Sequence, residues 1–290
     1  MRFFVLFVLC CSHFFASAVE VCGQFTHPVE GSYCIYQDPT STNQDVLYYL
    51  HGRGGRAERW GETNFFTEQV RRHWSQQGQS APTVISISFG PEWILAEKSE
   101  AELSGLLNLV RDGLMPMLEQ KIGGVQGKRM LVGESMGGFN GLQLALKTDL
   151  FARAAIICAP VYTAEMSPYS SDEEILRYVK ASSVYSVYGE DGLPEILAHL
   201  QGIRQLGTDV FTRDNWPSND PLMMAAALPE SKSKMEFYLA AGFYDPYALY
   251  EGNSALADTL KQKGYPVEWH PMWGGHCAID IPSLAQFLVH

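Results

Sequence analysis

The run Lys-Arg-Met-Leu-Val-Gly-Glu-Ser-Met-Gly-Gly occupies residues 128–138, where an apolar strand pattern passes directly into a glycine-rich turn. Residues 139–146 are mostly small or apolar and predict a tightly packed helix. A Gly-x-Ser-x-Gly sequence between a strand and a helix predicts the sharp turn called a nucleophile elbow. Gly133 and Gly137 leave room for neighbouring backbone, and Ser135 is expected in a strained conformation at the helix start, where negative charge is stabilised. The alternative is a tight strand-to-helix turn without chemistry.

The rest of the chain alternates strand and helix patterns. Its 290 residues, 46% hydrophobic and 18% charged, are enough for one large α/β domain with a sizeable core. A hairpin is predicted at 21–37, strands at 45–50, 83–89, 128–132, 153–159, 234–241 and 266–270, and helices at 64–77, 99–120, 139–146, 250–263 and 281–289. This order predicts a single α/β domain at residues 19–290, with a mostly parallel sheet and helices on both faces.

A long segment interrupts this alternation. Residues 161–232 are rich in Tyr, Ser and Asp, with short helical patterns at 173–179, 194–203 and 221–228. The segment is too long for a plain loop. We therefore predict an inserted cap over the functional site.

The first 18 residues predict a cleaved secretory signal peptide. Arg2 precedes an almost wholly apolar run at residues 3–15, and Ala16-Ser17-Ala18 supplies the small residues that signal peptidase needs. The run is short for a membrane span, which makes an uncleaved anchor the weaker alternative. We expect a secreted or periplasmic protein without stable membrane insertion after cleavage.

The charge balance argues against polyanionic partners. Acidic side chains outnumber basic ones by 32 to 21, and removal of Arg2 takes the formal net charge from −11 to −12. Such a chain is repelled by nucleic acid and by anionic membrane surfaces. The histidines are scattered and the cysteines have an oxidative explanation, so we expect neither a metal site nor a cofactor.

Four cysteines remain in the predicted mature chain, an even number that favours disulfides in an oxidising compartment. Cys22 and Cys34 are close in sequence and flank turn residues, as the two arms of a hairpin would. A bridge closing so short a loop contributes roughly 3 kcal/mol in the chain-entropy model. Cys158 and Cys277 are left, either bridged to each other or present as buried thiols.

A second glycine-rich loop, His51-Gly52-Arg53-Gly54-Gly55, follows the predicted strand at residues 45–50. Glycine lets a backbone N–H turn toward a substrate oxygen without an obstructing side chain. We predict that this loop supplies an oxyanion-hole amide. A flexible turn and a phosphate-binding loop are the alternatives, and the second lacks the Gly-Lys-Ser/Thr that it needs.

A serine hydroxyl needs a base to become a nucleophile, and the base needs an acid to hold it. We predict His276 as the base, because it lies in a glycine-rich loop after the last strand pattern, and Asp245 as the acid, because it follows the penultimate strand pattern. Both could instead be capping residues in loops. The other aspartates and histidines fit other positions better. We expect the remaining aspartates in a helix (Asp258) or at helix caps (Asp220 and Asp280). We expect the remaining histidines in the cap (His199), in or at the end of the last strand (His270), at the chain end (His290) and in the glycine-rich loop (His51).

Four more side chains have less specific signals. Glu134, beside the serine, is either a carboxylate that biases His276 toward its charged form or simply a polar residue on the turn. Trp93, Trp216 and Trp273 fall in loops expected to ring the site. Tryptophan there can bind an acyl chain or a ring, although core packing is its commoner fate.

Several motifs together resemble the putative esterase family of α/β-hydrolases, which includes esterase D, enterochelin esterase and the antigen 85 acyltransferases. The motifs are Gly-Glu-Ser-Met-Gly-Gly-Phe at 133–139, Leu150-Phe151, Ala159-Pro160, Trp216 with Asn219-Asp220-Pro221, Asp245, and Gly274-Gly275-His276. The likeness begins at about Val46 and covers most of the chain after it. It implies ester cleavage by Ser135, Asp245 and His276, with an oxyanion hole made by the amides of Met136 and of Arg53 or Gly54.

The resemblance has one instructive departure. The His276-Cys277 pair is similar to that of secreted feruloyl esterases and tannases, in which a cysteine after the histidine bridges to one before the serine. Here Glu134 holds the position before the serine, so that bridge cannot form.

These observations predict a secreted serine carboxylesterase with an acyl-enzyme intermediate, acting on a small-molecule, carbohydrate or lipid ester. The first alternative keeps the three residues but transfers the acyl group to another hydroxyl. A peptidase is a second alternative, although prolyl-type peptidases usually carry a separate large domain. A binding protein without activity on the same fold is the third.

Overall fold

The computed structural model describes residues 19–26, 30–90, 95, 106–163, 166–230 and 235–289. The predicted signal peptide, Trp93 and His290 lie outside these ranges. The described chain contains a sheet whose strands are β1 (Val19–Phe25), β2 (Gly31–Gln37), β3 (Val46–Leu50), β4 (Thr83–Ser88), β5 (Arg129–Glu134), β6 (Arg153–Ile157), β7 (Glu236–Gly242) and β8 (Val267–Met272).

The sheet has eight strands in the order β1-β2-β4-β3-β5-β6-β7-β8. Strands β3 to β8 run parallel to their neighbours within this group, and the β1–β2 hairpin adds an antiparallel edge beside β4. Cys22 and Cys34 lie directly opposite each other in the hairpin and form the predicted disulfide. The mostly parallel α/β architecture predicted from the sequence is confirmed.

Helices cover both faces of the sheet. They are α1 (Phe66–Gln76), α2 (Leu106–Leu109), α3 (Met115–Lys121), α4 (Met136–Lys147), α5 (Asp172–Ala181), α6 (Ser183–Val210), α7 (Pro221–Ala227), α8 (Tyr250–Gln262) and α9 (Ile281–Phe287). One face packs on α1 and α9, which are joined by a 2.7 Å hydrogen bond from Trp74 Nε1 to the Ala285 carbonyl. The other face packs on α3, α4 and α8. No helix among the described residues has the length and apolar character that a bilayer span requires.

Strand β3 shows how the two faces are used. All five of its residues are buried, as expected for a strand covered on both sides. Successive side chains point to opposite faces, so Tyr48 and Tyr49 belong to different cores. Each phenol donates a 2.7 Å hydrogen bond to a carboxylate, Tyr48 to Glu119 and Tyr49 to Glu134.

The segment between β6 and β7, residues 161–230, is here called the insertion. It contains α5, α6 and α7 and has its own small core, which includes Tyr178, Ile196 and Leu200. The helix α6 is far longer than the predicted piece at residues 194–203, and Gly189, with φ of 60° and ψ of −152°, kinks it. This helix is hard to predict from the sequence, because it contains several glycines and Pro194, and both residue types are unfavourable in helix interiors.

Candidate active site

The turn between β5 and α4 has the geometry of a nucleophile elbow. Ser135 has φ of 51° and ψ of −120°, a strained conformation for a residue with a side chain. A Cβ atom on Gly133 would lie 2.2 Å from the Gly137 carbonyl oxygen, and one on Gly137 would lie 2.0 Å from the Leu50 carbonyl oxygen. Only glycine fits at either position, which is the physical reason for the Gly-x-Ser-x-Gly pattern.

Three predicted side chains form one hydrogen-bonded chain. His276 Nε2 lies 3.1 Å from Ser135 Oγ, and His276 Nδ1 lies 2.8 Å from Asp245 Oδ2. The Asp245 side chain has no exposure to solvent, whereas the histidine side chain is 30% exposed. The three residues follow β5, β7 and β8 in the chain. They lie close together because the carboxyl ends of parallel strands meet at one edge of the sheet.

Two local features hold Asp245 and His276 together. The amide of Tyr247 donates a 2.9 Å hydrogen bond to Asp245 Oδ1, and the Tyr247 ring packs on the His276 ring with centroids 4.7 Å apart. A Cβ on Gly242 would lie 2.0 Å from the Gly275 carbonyl oxygen, so the end of β7 can approach the histidine loop only with glycine there. Sequence reasoning missed Tyr247, although an aspartate bonding the amide two residues later is a common turn signal.

The aspartates and histidines that were alternatives to Asp245 and His276 have other positions in the structure. Asp220 accepts hydrogen bonds from the amides of Leu222 and Met223 at the start of α7, and Asp280 accepts one from Ser283 at the start of α9. Both are helix N-caps, as predicted. Three further rivals lie in α8 (Asp258), α6 (His199) and β8 (His270), and His51 lies in the glycine-rich loop after β3.

A disulfide adjoins the histidine. Cys158, directly after β6, is bonded to Cys277, directly after His276. The sequence is compatible with either a disulfide or two buried thiols at this pair, and the structure contains the disulfide. The two cysteines have φ of 44° and 56°, in the left-handed region that side chains rarely adopt. The bridge therefore ties the histidine loop to the end of a buried strand.

The glycine-rich loop after β3 lies against the elbow. Residues 52–55 form a tight turn closed by a 3.0 Å hydrogen bond from the Gly55 amide to the Gly52 carbonyl, with Gly54 at φ of 78°. Arg53 lines the same pocket as Ser135 and His276. Met136 is the first residue of α4, where backbone amides have no acceptor within the helix. Arg53 and Met136, two of the three residues predicted to supply oxyanion-hole amides, thus line the same pocket as Ser135.

His51 and Glu134 are both buried beside this turn. His51 has no solvent exposure, and its Nδ1 lies 2.8 Å from the Gly52 carbonyl oxygen. Burial lowers the pKa of His51, which favours its neutral form. Glu134 is 7% exposed, and burial raises its pKa. The carboxylate accepts hydrogen bonds from the Tyr49 hydroxyl at 2.7 Å and from the Gly52 amide at 3.4 Å.

A largely apolar pocket opens beside Ser135, with a volume of about 870 Å³ that includes solvent at its mouth. Its walls come from α4 and the insertion. They include Phe139, Pro168, Ile203, Phe211 and Trp216. The rings of Phe139 and Phe211 lie 5.9 Å apart, and those of Phe211 and Trp216 lie 5.0 Å apart. Such a wall suits an acyl chain or an aromatic ring.

The predicted tryptophans divide between two positions. Trp216 lines the pocket, as expected for a residue near the site. Trp273 is 76% exposed and stacks on Phe243, with ring centroids 5.2 Å apart, and it is not part of the pocket wall among the described residues. Phe139 and Phe211 were missed by sequence reasoning. Phe139 lies one helical turn after Ser135, a spacing that could have found it.

The model of one protein family matches residues 32–277 of the chain. That family is described as Esterase, putative esterase. The match covers all six parallel strands and the three residues of the hydrogen-bonded chain. No curated protein sequence matches the chain.

Solved structures similar to the chain include esterases. A ferulic acid esterase matches with a TM-score of 0.62 and 16% identity, over 94% of this chain and 95% of the other. An arylesterase matches with a TM-score of 0.58 and 18% identity, over 94% and 82%. A thermostable esterase from Pseudomonas putida matches with a TM-score of 0.56 and 13% identity, over 95% and 82%. At these identities the similarity establishes the fold, which is that of the α/β-hydrolases.

Proposed function

Because the chain belongs to the putative esterase family, we propose that it is a serine carboxylesterase with Ser135 as nucleophile, His276 as base and Asp245 as orienting acid. The family and the structural neighbours support hydrolysis of carboxylic esters. One observation carries the proposed mechanism, namely the continuous hydrogen-bonded chain from Asp245 Oδ2 through His276 to Ser135 Oγ. The acid is fully buried, which suits a carboxylate that must hold an imidazolium.

The reaction proceeds in two halves. Ser135 Oγ attacks the ester carbonyl carbon while His276 Nε2 takes the hydroxyl proton, and the tetrahedral oxyanion faces the amides of Met136 and of Arg53 or Gly54. Collapse breaks the bond to the alcohol oxygen, which takes the proton from His276 and leaves an acyl-enzyme. Water then attacks the acyl carbon and gives a proton to His276. Collapse breaks the bond from that carbon to Ser135 Oγ, which takes the proton back from His276, and the carboxylic acid is released.

The pocket favours esters with an apolar acyl or aromatic group. Phe139, Phe211 and Trp216 line it beside the serine, and the insertion that contributes two of them acts in this proposal as the cap. The alcohol portion belongs to a small molecule, a carbohydrate or a lipid. A ferulic acid esterase and an arylesterase are among the structural neighbours, which makes aromatic esters natural first substrates to test.

We also propose that the protein is secreted after removal of residues 1–18. Two disulfides, Cys22–Cys34 and Cys158–Cys277, support an oxidising compartment for the mature chain. Expression with residues 1–18 in place, followed by sequencing the amino terminus of the exported protein, tests this. We expect cleavage after Ala18, and retention of residues 1–18 on the exported protein would contradict the proposal.

The activity is tested by initial rates on esters of acetate, butyrate, octanoate and ferulate. The Ser135→Ala protein serves as the blank, since it removes only one oxygen atom. We expect turnover that depends on Ser135, with release of free carboxylic acid. Folded protein that cleaves none of these esters, or a Ser135→Ala variant as active as the parent, would contradict the proposal. Added alcohol acceptors that capture most of the acyl group would identify an acyltransferase instead.

A further inference from the structure

Glu134 stands immediately before Ser135, and the proposed reaction does not use it. Its side chain is buried, and burial raises the pKa of its carboxyl group. A buried carboxylate is costly unless hydrogen bonds compensate for lost water. A neutral residue of the same size would avoid that cost, so the position of Glu134 calls for a physical reason.

The reason lies in the partners of the carboxylate. Oε1 accepts a 2.7 Å hydrogen bond from the Tyr49 hydroxyl, and the Gly52 amide donates to the same oxygen over 3.4 Å. Gly52 is the first residue of the turn that carries Arg53 and Gly54. Through these hydrogen bonds, Glu134 connects strand β3 and the glycine-rich turn to the position directly before Ser135.

Gly52 also packs directly on the elbow. A Cβ atom on Gly52 would lie 3.4 Å from Ser135 Cβ, 3.5 Å from the Glu134 carbonyl oxygen and 3.6 Å from Glu134 Cγ. A side chain at this position would touch the serine, so the start of the turn lies beside the elbow.

Charged and titratable groups around the carboxylate come from four places. Tyr49 belongs to β3, and burial raises its pKa well above the ordinary value, so it remains a donor. His51 lies in the loop, and its lowered pKa favours the neutral form. Arg59 and His276 act on the carboxylate through their positive charge, His276 only when protonated.

We propose that Glu134 is a positioning residue, whose carboxylate holds the Gly52 amide and thereby fixes the oxyanion-hole amide of the turn against Ser135. The inference rests on the proposed serine esterase function. The oxyanion is present only in the transition state and intermediate, so displaced donors lower kcat more than they raise KM. The effect on kcat comes from the hydrogen bond to the Gly52 amide and not from the charge of the carboxylate.

Two variants of Glu134 separate these contributions. Glu134→Gln keeps an acceptor oxygen and removes the charge, whereas Glu134→Leu removes both at similar volume. We expect Glu134→Leu to lower kcat by 10- to 100-fold with KM changed by less than threefold. Glu134→Gln should retain kcat within fivefold, because its side-chain oxygen can still accept a hydrogen bond from the Gly52 amide. Tyr49→Phe should fall between the two.

The strand offers a matched control. Tyr48→Phe removes a phenol that donates to a buried carboxylate over the same 2.7 Å, on the opposite face of the sheet and away from the site. It should lower stability without changing kcat. A purely structural role for Glu134 predicts that Tyr49→Phe and Tyr48→Phe behave alike.

Rates are expressed per active site, with the active serine titrated by an aryl phosphate ester such as diethyl 4-nitrophenyl phosphate. Wild-type kcat in Glu134→Leu would overturn the inference, as would equal loss in the Gln and Leu variants. If the parent protein shows no Ser135-dependent activity, the proposed function fails. If it is active and the Leu variant matches it, only the role of Glu134 fails.

Discussion

Asp245 differs from the other carboxylates at the same edge of the sheet in the completeness of its burial and in what its two oxygens contact. One oxygen accepts from the Tyr247 amide and the other faces His276 Nδ1. Asp280 also follows β8, but its oxygens accept from the amide and the hydroxyl of Ser283 in the first turn of α9. The structure thus separates a carboxylate aimed at an imidazole from one that caps a helix.

Asp245→Asn should lower kcat by about three to four orders of magnitude, because an amide at this position can donate to His276 Nδ1 and hold the wrong tautomer. The fold should persist, since asparagine still accepts the Tyr247 hydrogen bond. Measurement of kcat beside the thermal midpoint tests this. Asp280→Asn is the control and should remain active, because asparagine is also a good N-cap. Full activity in Asp245→Asn would move the acid role to another carboxylate.

Glu134 gives a prediction about stability and pH. Burial raises the pKa of this carboxyl group. A carboxyl group whose pKa is raised on folding favours the folded state below its unfolded pKa, and that contribution is lost as pH rises through the folded pKa. Glu134→Gln cannot ionise, so it should be more stable than the parent at pH 8. The difference should shrink toward pH 4.5. Denaturant unfolding at the two pH values measures it, and lower stability of the variant at pH 8 would contradict the argument.

Residues that are constrained by local sterics or by their order in the chain could be predicted from the sequence. Ser135 is marked by glycines that the turn requires, and the Asp245 and His276 candidates follow from their places after two strand patterns. The hydrogen-bond partners of Glu134 could not be predicted from the sequence. Tyr49 lies 85 positions away, and only the strand order puts β3 beside β5. Side-chain pairs across parallel strands leave no local pattern in the sequence.

The histidine loop illustrates how elements are joined. Cys158 directly follows β6 and Cys277 lies next to His276, so the disulfide spans 119 positions of sequence and encloses the whole insertion. In the chain-entropy model a loop of this length corresponds to about 4–5 kcal/mol. The bridge links the stability of the sheet to the position of the proposed base.

Replacing Cys158 and Cys277 by serine should lower both stability and kcat. The expected loss in free energy of unfolding is about 2–5 kcal/mol, and kcat should fall because the loop carrying His276 loses its covalent attachment to β6. The matched control replaces Cys22 and Cys34, which join the hairpin at the far edge of the sheet. That variant should lose stability but keep kcat. Unchanged kcat in Cys158→Ser/Cys277→Ser, measured well below its unfolding temperature, would contradict the predicted role of the bridge.

The elements of the sheet were predicted well and the insertion poorly, for a physical reason. Strands such as β3 are buried on both faces and appear as continuous apolar runs. Helix α6 contains glycines and a proline, and its stability comes from packing against α5 and the Tyr247 loop rather than from intrinsic propensity. Tertiary contacts of this kind cannot be read from a single segment.

The proposed active site lies between the carboxyl edge of the sheet and the insertion. The sheet contributes Ser135, His276 and Asp245 at its carboxyl edge, and the insertion contributes most of the pocket wall. Reaction and substrate choice are therefore carried by different segments. Changes in the insertion should alter which ester is cleaved without altering how it is cleaved.

Phe211→Ala tests that separation. The ring is 5% exposed and contacts both Phe139 and Trp216, so its removal takes away the centre of the apolar wall. An acetyl group is too short to use this wall, whereas an octanoyl or feruloyl group would bury against it. Loss of such a contact costs about 2–3 kcal/mol. We expect kcat/KM to fall by roughly 30- to 160-fold for octanoate or ferulate esters and by less than threefold for acetate. Met223→Ala, at an exposed position of the same insertion, is the control and should change neither. Equal losses on long and short esters would show that Phe211 supports the fold or the catalytic residues, and substrate choice would then lie elsewhere.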